Sequence, residues 1–469
     1  MSTLQKGILS SILFISYFYF FISSSGLNCS NDGSHLALAM AFKNEKSAVV
    51  QKYSSSFNLI PDYAIKDSVM YSDRLPGNAF LLNFVLEYSD LFQSAFMTNA
   101  NEIINYQITS ATLLPNLCGT LSMLFLFLIF FKVFKVTFST SIMLMLVGGF
   151  CTLMMQESIH LFSHAPSILL IISTVYFCFT KKENLKKSDW YIIAALIGFA
   201  TCLELQNVLF IVPISLYFMS SDANSKSYTT IVNRQSVLLS TLILLTFISC
   251  VVAYNYWAFG EIMLKSNKYN PFYPEERSFL TSLSGNPLIG LDQLFTSFNN
   301  IEANWNWSVG TKNATPGLFP SSPIYLLACL GFIPMLKQYK KEALLLMAII
   351  LTSVLIAATH KTTLVRHISS VYLLLFIPIA FLIKEISNRE SRSKIFLSYF
   401  VFGTICIYSF FKVMYITNHY YSRDFSFFEF PYLKNTTLFF AFNAPLLLVL
   451  ILVKTTWNYW SLNNKKQLK

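Results

Sequence analysis

Long apolar segments separated by short polar breaks run along almost the whole chain. A transmembrane helix needs about 17 to 25 predominantly apolar residues, and about twelve segments reach or approach this length. The pattern therefore predicts an all-α polytopic membrane protein with about twelve transmembrane helices. The predicted spans are 8–25, 110–134, 136–155, 160–180, 189–204, 206–220, 236–257, 322–336, 342–359, 368–384, 395–415 and 436–455.

Two longer segments, roughly 26–105 and 258–321, interrupt this alternation. The first contains a predicted helix, "SHLALAMAF", which follows "SNDG", and then a second helix with an apolar stripe. A one-sided stripe at helical period suits a helix that lies in the membrane interface. The second segment is rich in aromatic and turn residues, "NKYNPFYPEERSF" and "NWNWSVG", and we expect it to cap the bundle. The stripe consists of Phe80, Leu81, Phe84, Val85, Tyr88 and Leu91.

This arrangement predicts three parts of the chain. Residues 1–257 form an N-terminal transmembrane module that carries the first long loop, at about 26–105. Residues 258–321 form the second long loop, and residues 322–469 form the C-terminal transmembrane helices. No internal repeat is visible, which disfavours a transporter built from inverted repeats.

Charge then sets the predicted orientation. Hydrophobic residues make up 54% of the chain and charged residues only 12%, about half the charged share of a soluble domain. If the N-terminus is cytoplasmic, every inner connection is rich in Lys or Arg, as the positive-inside rule requires. Both termini are then cytoplasmic and both long loops lie outside. The net charge of +11 is thus a topology signal and an attraction to anionic lipid, and no nucleic acid is needed to explain it.

The first apolar segment and the cysteines exclude two other interpretations. The stretch "SSSGLNCSNDG" lacks a convincing signal-peptide cleavage site, so we expect a retained first helix. Seven of the eight cysteines lie inside predicted helices, and only Cys29 lies outside them. The sequence therefore predicts no disulfide framework and no Cys-x-x-Cys metal site.

Polar chemistry collects on the predicted outer side. The short outer loop "THKTTLVRHISS" carries Lys361 and Arg366, against the inside bias of basic residues. Positive charge in that position indicates an anionic ligand. All six histidines also fall at or near the outer side: His35, His160, His164, His360, His367 and His419.

Acidic residues share predicted helical faces with some of these histidines. Asp32 and His35 are three residues apart at the start of a helix, so they share a face. Glu157, His160 and His164 follow the spacing i, i+3 and i+7, which also predicts one face. Each of these groups could donate ligands to one divalent ion, and a metal ion is therefore a possible cofactor.

A further acid, Glu204, falls in the membrane zone, where ionisable residues are functional candidates by default. Together these residues predict a pocket at the outer membrane boundary. A carboxylate there could activate an acceptor hydroxyl or amine as a general base. Basic residues could hold a phosphate leaving group.

Each of these residues could also have a purely structural role, and both possibilities stay open. Asp32 with Asn31 could cap a helix, and Asp73 with Arg74 could form an ion pair that stabilises the turn before Pro76. His160 and His164 could simply lie at the membrane interface, at the end of a helix. Lys361 and Arg366 could bind lipid headgroups. Glu157 and Glu204 could be solvated acids.

Four stretches, in order, resemble a known superfamily. "NDGSHLALAMAF", followed by "DYAIKDSVMYSDRLPGNAFLLNF", is similar to the first outer loop of polyprenyl-phosphate-sugar-dependent GT-C glycosyltransferases. The resemblance is to the bacterial-type branch of the dolichyl-phosphate-mannose protein mannosyltransferase and aminoarabinose transferase superfamily. "LFSHAPSILL", "PGLFPSSPIYLLACLGF" and "VRHISSVYLLLFIPIAFLI" are similar to later motifs of this branch. The match covers roughly residues 26–385 and implies a GT-C-like fold.

The resemblance also implies roles for individual residues. Asp32 falls on the first-loop acid that serves as the catalytic base, and Glu157 on an acid that supports the site. Many relatives have an Asp-Glu pair where this chain has Asp32 and Gly33, so Asp73 or Asp62 could share the base chemistry. The implied substrate-binding residues are His35, Asp73, Arg74, His164, Lys361, Arg366 and His367, and the candidate metal ligands are Asp32, His35, Glu157 and His160.

The predicted function is transfer of a sugar from a polyisoprenyl-phosphate donor to a lipid, glycan or protein acceptor at the outer face. The chain has no P-loop or Gly-x-Gly-x-x-Gly motif for a nucleotide. In a bacterium the protein would lie in the cytoplasmic membrane, and in a eukaryote in the endoplasmic reticulum. A transporter or flippase of a lipid-linked or anionic substrate, and a non-catalytic lipid-binding protein, are the alternatives.

Overall fold

The structure is a computed structural model. It describes residues 1–24, 26–27, 29–57, 59–96, 100–182, 186–219, 234–272, 282–297, 316–361, 363–389, 392–421 and 435–449. Helices make up most of this part of the chain, and one small hairpin accompanies them. The "NWNWSVG" motif and the end of the last predicted span lie outside the described residues.

The first half of the chain contains ten helices within the described residues. A π-helical turn, Ile129–Val133, extends the fourth, and a 3₁₀ segment, Leu205–Phe210, precedes the ninth. The helices are α1 (Thr3–Ser23), α2 (Ser30–Glu45), α3 (Pro76–Phe96), α4 (Ala100–Leu128), α5 (Phe138–Phe150), α6 (Met154–Ile159), α7 (His164–Lys181), α8 (Lys187–Leu203), α9 (Ile211–Met219) and α10 (Arg234–Phe259).

The second half begins with the second long loop. That loop contains a 3₁₀ segment, Ser266–Tyr269, and another 3₁₀ segment, Val365–Val371, leads into the helices that follow Lys361. The helices are α11 (Pro287–Phe295), α12 (Leu318–Ser321), α13 (Ile324–Gln338), α14 (Lys340–Thr359), α15 (Tyr372–Phe376), α16 (Ile379–Arg389), α17 (Arg392–Tyr421) and α18 (Thr436–Val449).

The predicted membrane architecture is confirmed, but the count of twelve spans stays a prediction. Within the described residues, seven helical segments are long and apolar enough to cross a membrane. Four shorter apolar helices coincide with further predicted spans: Phe138–Phe150, Leu205–Met219, Ile324–Gln338 and Thr436–Val449. Helix α8, Lys187–Leu203, coincides with the remaining span. Each of the twelve predicted spans therefore has a helical counterpart, and the chain is an integral membrane protein.

The first helix is part of the bundle. It begins at Thr3 because Ser2 and Gln5 form a reciprocal capping box. Phe20 and Phe21 are fully buried, and the Phe21 ring packs against Phe439 of α18 at 5.1 Å. The first helix therefore packs against the C-terminal part of the bundle, and its retention stays a prediction.

The first long loop contains a β-hairpin that the sequence pattern did not predict. Strands β1 (Tyr63–Lys66) and β2 (Val69–Ser72) pair antiparallel with Tyr63 opposite Ser72. The two-residue turn between them places Asp67 and Ser68 at φ of 49° and 63°. Such turns favour Asn-Gly or Asp-Gly, and neither dipeptide occurs here, so the sequence signal was weak.

The two predicted helices of this loop differ in exposure. Residues 30–41 of α2 are buried throughout, so this helix lies inside the protein. Helix α3 buries Leu82 and Leu86 but leaves Phe80, Phe84 and Leu91 between 50% and 73% exposed. The exposed apolar residues of α3 fit the predicted helix in the membrane interface.

The start of α3 packs directly on the end of α8. Pro76 occupies the first turn of α3, where its missing N–H costs nothing. A β-carbon at Gly77 would lie 2.5 Å from the carbonyl oxygen of Cys202, so only glycine permits this approach. The Pro-Gly pair thus begins a helix and joins the first loop to the segment that carries Glu204.

All eight cysteines lie among the described residues, and all are free thiols. The predicted absence of a disulfide framework therefore agrees with the structure.

Candidate functional site

A polar cavity of about 230 Å³ lies where α2, α7, the break after α8 and the second long loop meet. It also takes residues from the end of α14 and from the 3₁₀ segment Val365–Val371. Its size is slightly below that of ordinary small-molecule sites, which begin at about 300 Å³. Three acids and three bases line it: Asp62, Asp73 and Glu204, with Arg74, Lys265 and Arg366.

Six of the nine residues predicted as catalytic or substrate-binding line this cavity. Asp32, Glu157 and Lys361 do not. The six come from four separate parts of the chain. The fold therefore brings together motifs that the sequence only predicted to lie on the same side of the membrane. They are His35, Asp73, Arg74, His164, Arg366 and His367.

Asp32 lies behind the cavity wall. On α2, Asn31 and His35 line the cavity, whereas Asp32 is fully buried. One carboxylate oxygen of Asp32 accepts the Leu161 N–H at 2.9 Å. The other lies 3.7 Å from Nδ1 of His160. Asp32 therefore contacts the segment between α6 and α7 and not the space where a ligand fits.

The predicted common face of Glu157, His160 and His164 is wrong. Helix α6 ends at Ile159, His160 is extended with φ −110° and ψ 153°, and α7 begins only at His164. The i, i+3, i+7 rule requires one continuous helix, and the break turns His160 towards Asp32.

Glu157 instead forms a cluster with His164. Nδ1 of His164 lies 2.7 Å from Oε2 of Glu157, and Nε2 of the same ring lies 3.6 Å from Oε1 of Glu204. Glu157 itself is fully buried. One imidazole therefore stands between two carboxylates, and both His164 and Glu204 line the cavity.

Arg74 is held by two carboxylates. Its Nη2 donates to Oδ1 of Asp62, and its Nε lies 3.0 Å from Oδ1 of Asp73. The second oxygen of Asp62 accepts a hydrogen bond from Ser30 at 2.6 Å. The second oxygen of Asp73 accepts one from Asn270 at 2.8 Å. The two long loops are thus joined at this cluster, because Asn270 belongs to the second loop.

The other basic residues occupy different positions. The guanidinium of Arg366 lies 5.8 Å from the centre of the Phe162 ring, a cation–π arrangement, and Lys265 lines the cavity from the second loop. Lys361 is exposed, and its backbone N–H donates to the Ser282 carbonyl at 2.9 Å. The structure therefore brings Arg366 to the cavity together with Lys265, which the sequence motifs did not indicate.

Burial shifts the pKa of three groups that line the cavity. Burial, with smaller effects of Arg74 and His164, lowers the pKa of His35 well below its ordinary value. Burial and Lys265 lower the pKa of His360 to about 3, so both imidazoles are neutral at pH 7. Burial raises the pKa of Asp73 to about 6, although Arg74 opposes this shift.

The candidate metal ligands do not form one site. Among the residues that the structure describes, no three His, Cys, Asp or Glu side chains converge as a ligand set. His35 faces the cavity, while Asp32 approaches His160 and Glu157 approaches His164. Within the described part of the chain these four side chains therefore do not form one ligand set, and no step is assigned to a metal.

Several cavity residues had only a weak signal in the sequence. Lys265 sits in a loop segment without a motif and reaches the cavity through long-range packing. Asp62 begins the second part of the first-loop motif, and Asn267 begins the aromatic, turn-rich stretch of the second loop. Glu204 had a signal, because an acid in the membrane zone is a functional candidate. The side chain of His419 is outside the described set.

A family model matches part of the chain. Residues 91–254 match the model described as dolichyl-phosphate-mannose-protein mannosyltransferase. The matched segment contains α4 to α9 and includes Glu157, His164 and Glu204. Comparison with curated proteins finds no match.

Solved structures share the fold over most of the chain. ArnT from Cupriavidus metallidurans bound to undecaprenyl phosphate has a TM-score of 0.54 at 10% identity, with 89% of this chain and 70% of that chain covered. ArnT in the apo state gives 0.51 at 10% identity, covering 89% and 77%. Archaeal oligosaccharyltransferase AglB from Archaeoglobus fulgidus, in complex with an inhibitory peptide and a dolichol-phosphate, gives 0.52 at 10% identity, covering 89% and 56%.

The chain thus spans little more than half the length of that oligosaccharyltransferase. The chain has the fold of the GT-C glycosyltransferases, and the family model matches the segment that contains one of the four sequence motifs, "LFSHAPSILL".

Proposed function

We propose that the protein is a membrane glycosyltransferase that moves a sugar from a polyisoprenyl phosphate to an acceptor at the outer face of the membrane. The cavity is the observation that carries this proposal. It combines carboxylates, neutral imidazoles and basic side chains in one polar space at the end of an apolar helical bundle. Such a set can deprotonate a nucleophile and stabilise a departing phosphate.

The donor class is supported by the structural neighbours. One of them is bound to undecaprenyl phosphate, and another is in complex with a dolichol-phosphate. A lipid of this kind keeps its tail among the helices and brings its phosphate to the membrane boundary. The long apolar helices and the polar cavity of this chain suit both parts of such a molecule.

The reaction is a single displacement. A carboxylate accepts the proton of the acceptor hydroxyl or amine as that atom attacks the anomeric carbon. The bond between the anomeric carbon and the phosphate oxygen breaks, and the lipid phosphate leaves with the electron pair. The anomeric centre inverts, and the sugar–phosphate bond supplies the energy, so no nucleotide is required.

We assign the phosphate contact mainly to Lys265 and Arg366. Both line the cavity, and arginine suits phosphate because its planar donors match the oxygens. Arg74 also lines the cavity, and its ion pairs with Asp62 and Asp73 join it to the structure of the two long loops. Lys361, on the exposed rim, suits attraction of the donor or of anionic headgroups.

We assign Asp32 to positioning, although the resemblance implies that it is the base. Its carboxylate accepts the Leu161 N–H, three residues before His164, and so fixes the start of α7. An Asp32→Asn variant keeps an oxygen for this hydrogen bond. It should therefore keep most of its transfer activity, whereas loss of a general base lowers the rate about 10²- to 10⁴-fold.

The test uses purified protein in liposomes and a panel of polyprenyl-phosphate sugars that carry a labelled sugar. Wild type should transfer the label from at least one donor and release polyprenyl phosphate. Transfer by Asp32→Asn that falls a hundredfold or more, with donor KM unchanged, would make Asp32 the base. Absence of transfer from every donor, together with movement of the labelled lipid between leaflets, would favour the flippase alternative.

A further inference from the structure

Glu204 is an acid at a break between two helices, and the single displacement leaves its role undefined. It follows the end of α8 with an extended backbone, φ −145° and ψ 112°, and precedes the 3₁₀ segment Leu205–Phe210. Its side chain is 12% exposed and lines the cavity. The break therefore presents a largely buried carboxyl group to the space where the ligand fits.

A chain of hydrogen bonds ends at one oxygen of Glu204. The Asn207 amide donates to the Ser167 hydroxyl oxygen at 2.8 Å. The hydrogen of Ser167 is then available to Ser370, 3.0 Å away. Ser370 in turn donates to Oε2 of Glu204 at 3.0 Å, and Gln206 donates to the same oxygen at 3.3 Å. Ser370 and Gln206 therefore both donate to Oε2, which suits a carboxylate that accepts hydrogen bonds.

The other oxygen of Glu204 is differently placed. Within the part of the chain that the structure describes, Oε1 is buried and has no hydrogen-bond partner. A buried acceptor without a partner is energetically costly, and a ligand that donates a hydrogen there recovers this energy. Oε1 is therefore a prepared position for a donor such as a hydroxyl or amine.

His164 stands opposite this oxygen in a fixed orientation. Nδ1 of His164 lies 2.7 Å from Oε2 of Glu157, so Nδ1 carries the hydrogen and Nε2 faces Oε1 of Glu204 at 3.6 Å. This separation is too long for a direct hydrogen bond. Glu157 thus holds the ring, and the two atoms facing each other form one polar end of the cavity.

The other two cavity acids are engaged by a cation. Asp62 and Asp73 both form ion pairs with Arg74. Within the described residues, no Lys or Arg forms an ion pair with Glu204, whose ion-pair contact is the longer approach of His164 Nε2 at 3.6 Å. A carboxylate neutralised by arginine is a weaker base than one without such a partner.

From this geometry we propose that Glu204 is the general base of the transfer reaction and that His164 orients the nucleophile beside it. The proposal rests on the proposed function. Oε1 of Glu204 takes the proton from the acceptor hydroxyl or amine while the oxygen or nitrogen forms its bond to the anomeric carbon. The phosphate leaves with the electrons of the broken carbon–oxygen bond, and the proton remains on Glu204 until solvent removes it.

The experiment compares Glu204→Gln, Glu204→Asp and a matched control, Glu45→Gln. Glu45 pairs with exposed Lys52 at the surface end of α2 and lies outside the cavity. Transfer is measured with the donor that wild type uses from the labelled panel, as kcat and as KM for that donor. Binding is measured separately as protection by undecaprenyl phosphate against thermal unfolding.

Glu204→Gln should lower kcat about 10²- to 10⁴-fold and leave donor KM and undecaprenyl-phosphate protection unchanged. Glu204→Asp should recover part of the lost rate, because it restores a carboxylate at greater distance. Glu45→Gln should behave as wild type.

Two results would overturn the assignment of Glu204. One is a Glu204→Gln variant with kcat within a few-fold of wild type. The other is a variant that loses undecaprenyl-phosphate protection together with activity, since that outcome indicates a binding or structural role. Absence of transfer by wild type from any donor is a separate result, which would overturn the proposed function and this inference with it.

Discussion

Replacing Arg74 with Met should destabilise the protein strongly, because it strands two carboxylates. Asp62 and Asp73 each form an ion pair with Arg74, and both acids are only 7% exposed. Removing one partner of a buried ion pair costs about 3–5 kcal/mol. We expect the lower end of this range, about 3 kcal/mol, because Ser30 still donates to the second oxygen of Asp62 and Asn270 to the second oxygen of Asp73.

The assay is thermal or denaturant unfolding of the detergent-solubilised protein. Lys52→Met is the matched control, because Lys52 is 71% exposed and pairs with Glu45, and such surface pairs contribute about 0–1 kcal/mol. Adding Asp73→Asn to Arg74→Met removes one stranded charge. The double variant should therefore be more stable than Arg74→Met alone, with a coupling of about 0.5–3 kcal/mol.

The opposite outcome has a clear meaning. An Arg74→Met variant with wild-type stability that loses protection by undecaprenyl phosphate would refute the structural role. Arg74 would then be a ligand of the donor phosphate, and its two ion pairs would be exchanged for that phosphate on binding. Equal losses in Arg74→Met and Lys52→Met would also contradict the argument from burial.

Three further predictions follow from the same contacts. The folded-state pKa of Asp73 is raised from 3.8 to about 6. Folding therefore takes up a proton between these two pH values, and the free energy of unfolding should fall as pH rises from 3.8 to about 6. Asp73→Asn should flatten this slope when unfolding is measured as a function of pH. Gly77→Ala should cost about 1–3 kcal/mol and reduce transfer, whereas Gly7→Ala, with open space around it, should do neither. Glu157→Gln should lower kcat without changing donor KM, because it loosens His164; an altered donor KM would contradict this role.

The helices could be predicted because apolar length alone identifies them. Each predicted span has a helical counterpart, including the two on either side of "LELQN", where the chain breaks at Glu204. The hairpin could not be predicted, because Asp67 and Ser68 adopt a turn that usually requires glycine. Its strands are also too short for alternation to stand out.

The site could be predicted only in part, because local periodicity ends where a helix ends. His35, His164 and Arg366 were selected for lying on the same side of the membrane, and packing brings them to one cavity. Asp32 was selected by its motif, but its place behind the cavity wall follows from its contact with Leu161, before α7, which the motif does not reveal. Lys265 reaches the cavity through the path of the second loop, for which the sequence carries no local signal.

The most direct test of the account is transfer of a labelled sugar from a polyprenyl phosphate by the purified protein in liposomes, with wild type and Glu204→Gln side by side. The account predicts that wild type transfers the label from at least one donor and releases polyprenyl phosphate. It also predicts that Glu204→Gln binds undecaprenyl phosphate normally and transfers at least a hundredfold more slowly, the lower bound for loss of a general base. Wild-type protein that binds undecaprenyl phosphate but transfers sugar from no member of the panel would contradict it.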